Sequence, residues 1–175
     1  MLDNEIELAE VYLQPGEAYL ARKPTLIRTL LGSCVGVTFW SARLGCGALC
    51  HALLPRCPKG RRQGITPSDG YRFVDFSIRD LAREFDKLGA LRGEVEVKLF
   101  GGSDVLPIGG GVTRPATVGK QNCEAAMEVV AAEGFQLVAS SLGGTRGRSI
   151  QFNTRTGEVR LRWLSRTVLE RSSEP

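Results

Sequence analysis

Apolar residues alternate with polar ones or form short runs over much of the chain, a pattern typical of β-strands. Four stretches lie near the start: residues 5–13, 17–22 with 25–31 across Pro24, 35–40 and 46–54. Four more lie further along: residues 94–100, 135–141, 148–153 and 158–164. The pattern therefore predicts about eight strands, which dominate the start and the end of the chain.

Two segments show instead the three- and four-residue spacing of an amphipathic helix. In the first, the apolar positions are Tyr71, Val74, Ile78, Leu81, Phe85 and Leu88. The second covers about residues 118–133, and its buried side is expected to carry Ala125, Ala126, Val129 and Val130. Gly89 and Gly134 follow these segments and favour helix ends there.

These elements predict an α/β (α+β) layered sandwich, with a mixed β-sheet core and two main helices. The chain has 175 residues, of which 42% are hydrophobic and 24% are charged. This length and composition fit a single globular domain over residues 1–175. The last ten residues are polar, and a frayed tail is expected from about residue 166.

The charge balance is mildly basic, with 23 Lys and Arg against 19 Asp and Glu and a net charge of +4. Aromatic residues make up only 7%, and no basic stripe is interleaved with them, so no nucleic-acid partner is indicated. No run of about 18 apolar residues exists, so no membrane insertion is expected. The acidic start, residues 1–5, does not resemble a secretory signal, and the expected location is cytoplasmic.

The clearest loop covers residues 56–70, and its basic part is residues 56–62. Four basic side chains lie in that part: Arg56, Lys59, Arg61 and Arg62. A mobile, solvated loop is one interpretation, and a basic surface for an acidic partner is the other.

Cys34 and His51 are the first candidates for chemistry. Cys34 follows a Gly-Ser pair at a break between two apolar runs, where a tight turn would expose its thiol beside backbone N–H groups. His51, the only histidine, lies within a run that otherwise resembles a buried strand. Adjacent antiparallel strands would bring the two side chains together, and the imidazole would then stabilise the thiolate. The alternative is that both are ordinary core residues.

Thr29 is a candidate third member, because a neighbouring hydroxyl can accept the other imidazole N–H and fix the tautomer. The chain has five cysteines, which are expected to be reduced. The spacing of Cys46, Cys50 and Cys57 next to the histidine allows a zinc site as an alternative, although it lacks the usual paired Cys-x2–4-Cys knuckles. The glycine clusters match neither the dinucleotide nor the P-loop pattern, so no cofactor is expected.

Several segments, in matching order, resemble CheD, the family of chemoreceptor glutamine deamidases of bacterial chemotaxis. They are residues 29–35 (TLLGSCV), 47–55 (GALCHALLP), 98–102 (KLFGG), 118–122 (VGKQN) and 143–150 (GGTRGRSI), with Thr156-Gly157. The resemblance runs from about residue 8 to residue 164. It implies a layered fold similar to toxin-type cysteine deamidases.

The resemblance also implies a Cys-His-Thr triad without metal or organic cofactor. Cys34 falls on the nucleophile, His51 on the base and Thr29 on the threonine, with Gly32 and Ser33 supporting an oxyanion hole through their backbone. In some members the threonine lies one residue further from the cysteine, where this chain has Arg28. Gln121 stands where an arginine is often found.

The implied activity is that of a protein-glutamine glutaminase. It hydrolyses glutamine side-chain amides in the cytoplasmic domain of methyl-accepting chemoreceptors to glutamate, through a thioester, and releases ammonia. A CheC-type phosphatase is an expected further partner, because some members of the family pair with one. The alternative is a non-catalytic chemotaxis adaptor that binds receptors or such a phosphatase.

Overall fold

The computed structural model describes residues 8–104 and 116–165. Within these ranges, nine strands form two sheets, and two long helices cover the larger sheet on its other side. The molecule is therefore layered as sheet, sheet and helices.

The smaller sheet has four strands and brings the two ends of the described chain together. Its order is β1 (Ala9–Tyr12), β3 (Thr25–Leu31), β8 (Arg148–Asn153) and β9 (Val159–Trp163). β1 runs parallel to β3, whereas β3, β8 and β9 are antiparallel. The hairpin between β8 and β9 turns at Gly157, whose positive φ of 75° explains the glycine there.

The larger sheet has five strands and lies in the middle of the molecule. Its order is β2 (Ala18–Ala21), β5 (Cys46–Ala52), β4 (Val35–Ser41), β6 (Glu96–Gly101) and β7 (Gln136–Leu142). β6 and β7 are parallel, and the other neighbours are antiparallel. All seven residues of β5 are buried, because one face meets the helices and the other meets the smaller sheet.

The helices are α1 (Pro67–Gly70), α2 (Val74–Lys87) and α3 (Val118–Ala132), with two short 3-10 turns at Lys59–Arg61 and Arg92–Glu94. α3 matches its predicted bounds closely. α2 begins three residues later than the apolar spacing suggests, because the Tyr71 N–H bonds to the Pro67 carbonyl and closes the single turn of α1.

Two separate apolar clusters hold the layers together. The larger one lies between the five-stranded sheet and the helices, and includes Phe39, Ile78, Phe85 and Val129. The smaller one lies between the two sheets and is formed by Leu13, Ile27, Leu31, Leu49, Phe100, Ile150 and Phe152. Successive residues of a strand point to opposite faces, so β5 contributes Cys50 to the first cluster and Leu49 to the second.

The predicted fold class, an α+β layered sandwich with two main helices, is confirmed. Its strands divide into two sheets, which the spacing of apolar residues along the chain does not reveal. The glycine cluster at 109–111 and the predicted tail from residue 166 lie outside the described residues. No helix within residues 8–104 and 116–165 has the length and apolar character needed to cross a membrane.

Candidate active site

Cys34 lies where the chain crosses from one sheet to the other. β3 ends at Leu31 in the four-stranded sheet, and β4 begins at Val35 in the five-stranded sheet. Only Gly32, Ser33 and Cys34 make the connection. The Cys34 side chain is partly buried and packs against the apolar cluster between the sheets. The predicted break between two apolar runs is therefore a crossing between layers.

His51 faces the same layer from the five-stranded sheet. Its cross-strand partner is Gly36, which follows Cys34 by two residues and therefore lies on the same side of the sheet. The strand is held at this point on its other edge, because the Gly16 N–H bonds to the His51 carbonyl and the His51 N–H bonds to the Glu17 carbonyl. Cys34 and His51 thus stand diagonally on one sheet face, where side chains of neighbouring strands interact.

Thr29 reaches the imidazole from the opposite sheet. Its Oγ1 lies 2.8 Å from His51 Nδ1 and donates its proton to the Leu13 carbonyl, also at 2.8 Å. Because the hydroxyl has one proton and a carbonyl can only accept, Oγ1 must accept from the imidazole. The neutral ring therefore carries its proton on Nδ1 and leaves the Nε2 lone pair available as a base.

The threonine contact belongs to Thr29 and not to the preceding position. Inward residues of β3 alternate strictly, with Ile27, Thr29 and Leu31 buried. Arg28 lies on the outward side, where its guanidinium pairs with Glu10 at 3.0 Å. The alternation of inward and outward positions along β3 would suffice to choose Thr29 over Arg28 from the sequence.

Burial shifts the pKa values of the Cys34 thiol and the His51 imidazole in the directions that favour their neutral forms. Burial raises the pKa of the Cys34 thiol from its ordinary value of 9.0, an effect partly offset by a bond from its own backbone N–H. Burial lowers the pKa of His51 to about 4. In the described part of the chain, no hydrogen bond joins the Cys34 thiol to the imidazole. Desolvation of both groups opposes the expected stabilisation of a thiolate by the imidazole, which stays a prediction.

The crossing turn is held by its carbonyl groups. The Gly32 carbonyl accepts from the Ser103 N–H at 2.9 Å, and the Cys34 carbonyl accepts from the Gly102 N–H at 2.8 Å. The Ser33 carbonyl accepts from the side-chain amide of Asn122 at 2.9 Å. All three acceptors thus bond to the end of β6 and to α3.

The N–H groups of the turn are left for another acceptor. Within residues 8–104 and 116–165, the N–H groups of Ser33 and Cys34 have no acceptor apart from the sulfur of Cys34 itself. Two adjacent N–H groups beside a thiol are the donors that a tetrahedral oxyanion requires. The backbone support expected from Gly32 and Ser33 stays a prediction.

Gly101 allows β6 to approach the turn closely. Its φ is 103°, and a Cβ at this position would overlap the Cys34 carbonyl oxygen. Behind it, the buried Arg148 guanidinium donates to Ser103 Oγ at 2.9 Å and to the Gly143 carbonyl. The arginine faces no carboxylate in the described residues, and lies 4.7 Å from the Trp163 ring. Arg148 therefore fixes Ser103 and Gly143, and the Ser103 N–H in turn bonds to the Gly32 carbonyl of the turn.

Asn122 is the residue that the sequence analysis missed. It lies on the buried face of α3, is fully buried, and donates to the Leu53 carbonyl as well as to Ser33. Its signal in the sequence is a short polar side chain among Gly119, Ala125 and Ala126, the buried positions of the helix. That signal is weak, since both acceptors lie more than sixty residues away.

The remaining cysteines do not gather around the histidine. Cys50 lies on the opposite face of β5, where burial raises its pKa to about 12. Cys46 and Cys57 are also buried, and Cys123 on α3 contacts the Gly102 carbonyl. No cluster of three or more His, Cys, Asp or Glu side chains suited to a metal occurs in the described ranges.

The basic loop is anchored in part to α2. The buried carboxylate of Asp75 accepts from the Cys57 N–H at 2.8 Å and from the Arg62 guanidinium at 3.0 Å. Arg56 pairs with Glu128 on α3. The prediction of a wholly mobile loop is therefore too simple, whereas the prediction of a basic surface stays untested.

Comparison with known proteins gives a consistent result. The family model described as CheD chemotactic sensory transduction matches residues 53–163, well over half of the chain. Curated relatives align over nearly their whole length. A protein of Geobacter sulfurreducens named probable chemoreceptor glutamine deamidase CheD 2 is 45% identical over 161 residues, 92% of this chain and 94% of its own.

Two further relatives carry the name probable chemoreceptor glutamine deamidase CheD. The protein of Maridesulfovibrio salexigens is 36% identical over 95% of this chain and 96% of its own length. The protein of Pseudomonas syringae pv. syringae is 35% identical over 99% of this chain and 95% of its own length.

Proposed function

The chain belongs to the CheD family, and from this membership and the geometry of the crossing turn we propose that it is a protein-glutamine deamidase acting on chemoreceptors. It hydrolyses glutamine side-chain amides to glutamate and releases ammonia. The observation that carries the proposal is the Thr29–His51 hydrogen bond. It leaves Nε2 as a base on the sheet face that Cys34 shares.

Attack by the thiol is coupled to loss of its proton. Since burial favours the neutral forms of Cys34 and His51, the reaction starts from a thiol and an imidazole. As the sulfur forms its bond to the amide carbon, Nε2 accepts the thiol proton and the carbonyl electron pair moves to oxygen. Thr29 Oγ1 accepts a hydrogen bond from Nδ1 and thereby stabilises the imidazolium that forms.

The oxyanion is stabilised by the backbone of the turn. The N–H groups of Ser33 and Cys34 adjoin the nucleophile in the chain, and their peptide units are fixed through the bonds to the Gly32 and Ser33 carbonyls. Donors fixed before the reaction stabilise the developing charge without reorganisation, and loss of one such donor in comparable enzymes costs about 3–4 kcal/mol.

Ammonia then leaves and water completes the reaction. The C–N bond breaks as His51 returns its proton to the leaving nitrogen, which gives a thioester on Cys34. Neutral His51 next takes a proton from water, whose oxygen attacks the thioester carbon. The thiol is regenerated and the product is a glutamate side chain. The residues present supply every proton transfer.

The proposed partners follow from the substrate. The cytoplasmic domain of methyl-accepting chemoreceptors presents the glutamines, which places the enzyme in the cytoplasm as a single catalytic domain. A CheC-type phosphatase is proposed as a second binding partner, to be tested by co-purification with the intact chain. Failure of a CheC-type protein to bind the folded chain would remove that partner.

The decisive experiment is mass spectrometry of a receptor cytoplasmic fragment after incubation with the protein. The wild type is expected to add about 1 Da at defined glutamines, the difference between amide and acid, whereas Cys34→Ala adds none. Cys50→Ala is the matched control, because it removes a thiol from the opposite face of β5, and it is expected to remain active. A fully active Cys34→Ala variant would refute the proposal. Binding without any mass gain would favour the adaptor.

A further inference from the structure

The Asn122 amide is placed to control the nucleophile turn from a different element. It is fully buried on α3, and its Nδ2 donates to the carbonyls of Ser33 and Leu53, both at 2.9 Å. The first carbonyl belongs to the crossing turn, and the second lies two residues beyond His51. One side chain therefore links the segments that carry the nucleophile and the base.

The orientation of this amide follows from its partners. Both neighbours are carbonyl oxygens, which can only accept, so the nitrogen must face them. The oxygen, Oδ1, is buried and has no partner among the described residues. The polar contacts of Asn122 among the described residues are therefore the two bonds that its nitrogen donates.

The hydrogen bond from Asn122 to the Ser33 carbonyl also determines the direction of the next backbone N–H group, that of Cys34. The carbonyl of Ser33 and the N–H of Cys34 belong to the same peptide unit, and the described residues contain no cis peptide bond. In a planar trans peptide the two groups point in opposite directions. Asn122 draws the carbonyl towards α3, so the Cys34 N–H is aimed away from α3.

We propose that Asn122 is a positioning residue that orients the Cys34 N–H as an oxyanion donor and fixes the turn against the strand of His51. This inference rests on the proposed deamidation, whose tetrahedral intermediate needs that donor. Asn122 itself touches neither substrate nor thiol. Its effect passes through the Ser33–Cys34 peptide unit.

The first test compares Asn122→Ala with Val129→Ala. Val129 is buried on the same helix, two turns away, so its truncation weakens helix packing without touching the turn. Asn122→Ala is expected to lower kcat for receptor deamidation about 100-fold, as loss of an oxyanion donor does, with KM nearly unchanged. Val129→Ala is expected to keep the kcat of the wild type at temperatures where it stays folded.

Alkylation of Cys34 by iodoacetamide separates this role from a general loosening of the site. Alkylation displaces iodide at a saturated carbon and forms no oxyanion, so it depends on the thiol alone. The rate constant for Asn122→Ala is therefore expected to stay within about threefold of the wild type. A fall in alkylation that matches the fall in kcat would overturn the inference, because it would mean that the thiol itself is displaced.

A peptide aldehyde tests the donor without turnover. In a peptide that carries glutamate semialdehyde in place of glutamine, the Cys34 sulfur bonds to the aldehyde carbon and the oxygen takes the thiol proton. That oxygen occupies the oxyanion position, so Asn122→Ala is expected to weaken the adduct about 100-fold, whereas Val129→Ala leaves it unchanged. Equal adduct stability in all three proteins would refute the inference.

A second variant covers the case in which Asn122→Ala does not fold. Asn122→Leu keeps the approximate shape of the side chain and removes the donors without burying a charge, and it is expected to show the same loss of kcat and of adduct stability. The aldehyde measurement also distinguishes two failures. If the wild type forms a stable adduct but deamidates no receptor, the proposed function fails and the positioning role stands.

Discussion

The two layers on either side of the five-stranded sheet differ in what they bury. Among the described residues, the layer facing the helices holds 21 buried hydrophobic residues, and the layer between the sheets holds seven. The inter-sheet layer holds the buried polar side chains of Thr29, His51 and Arg148, whereas Asp75, Ser77 and Asn122 are buried on the helices. Most apolar burial therefore lies on one face of the sheet, and the candidate triad lies on the other, with Asn122 reaching the crossing turn from the helix side.

The difference is sharpest within a single strand. Cys50 and His51 are adjacent in β5, yet Cys50 faces the apolar helix layer and His51 faces Thr29 of the opposite sheet. A strand that is buried on both faces can thus supply a core residue and a functional residue at consecutive positions. Mutations on the two faces should separate folding from activity.

The largest effect is expected for the two thiols. Cys34→Ala should reduce deamidation at least about a thousandfold, because the nucleophile is lost, with little change in the free energy of unfolding. Cys50→Ala should keep the activity of the wild type and lose stability, since it leaves a small cavity in the helix layer. Ammonia release and urea denaturation measure both quantities. The reverse result would invalidate the contrast between the layers.

A smaller effect, on stability alone, is expected in the helix layer. Phe85 is fully buried, with its ring centroid 5.8 Å from that of Phe39. Phe85→Ala should lower the free energy of unfolding by about 3–5 kcal/mol. The kcat of the folded fraction should remain that of the wild type when measured well below the melting temperature. A parallel loss of kcat would show that the two layers are not independent.

The next effect concerns the tautomer of the histidine. Thr29→Val removes the acceptor for the Nδ1 proton, so kcat should fall about 100-fold, whereas Thr29→Ser should recover most of it. Thr38→Val provides the control, because Thr38 is a buried threonine of β4 that makes no hydrogen bond to His51 in the described part of the chain. An unchanged kcat for Thr29→Val would show that the hydrogen bond does not support the base.

The smallest effect is a pH dependence of stability. The pKa of His51 falls from 6.5 when unfolded to about 4 when folded, so acid protonates the unfolded chain first. The stability that neutral His51 contributes is fully present above pH 6.5 and is lost as the pH falls towards 4. The free energy of unfolding should therefore decrease by about 2 kcal/mol between pH 8 and pH 5. His51→Gln should flatten this part of the curve, since the chain has no other histidine. An identical slope in both proteins would contradict the lowered pKa.

Much of the fold could be predicted from the sequence because local patterns determine it. Alternation located the strands, and the apolar spacing located α3 almost to the residue. The division into two sheets could not be predicted, because Leu31 and Val35 lie in different sheets although only a three-residue turn separates them. Alternation shows which face of a strand is buried, and it does not show what covers that face.

The candidate site was predictable in its residues and not in its electrostatics. Cys34, His51 and Thr29 follow from motifs and from strand alternation. The pKa shifts that favour their neutral forms arise from burial between two sheets, which the spacing of residues along the chain does not indicate. The contacts of Asn122 could not be predicted for a similar reason, since its two acceptors come from distant parts of the chain.

The crossing turn also bears on when a newly made chain becomes reactive. Cys34 and His51 leave the ribosome early, but the groups that shape their surroundings come much later: Ser103, Asn122 and the strand β8, which pairs with β3. Synthesis proceeds from the N-terminus, so most of the chain must emerge before the turn can be held in place. An incomplete or truncated chain therefore carries the nucleophile without the means to use it. The long sequence separation thus couples the arrangement of the crossing turn to folding of nearly the whole described domain.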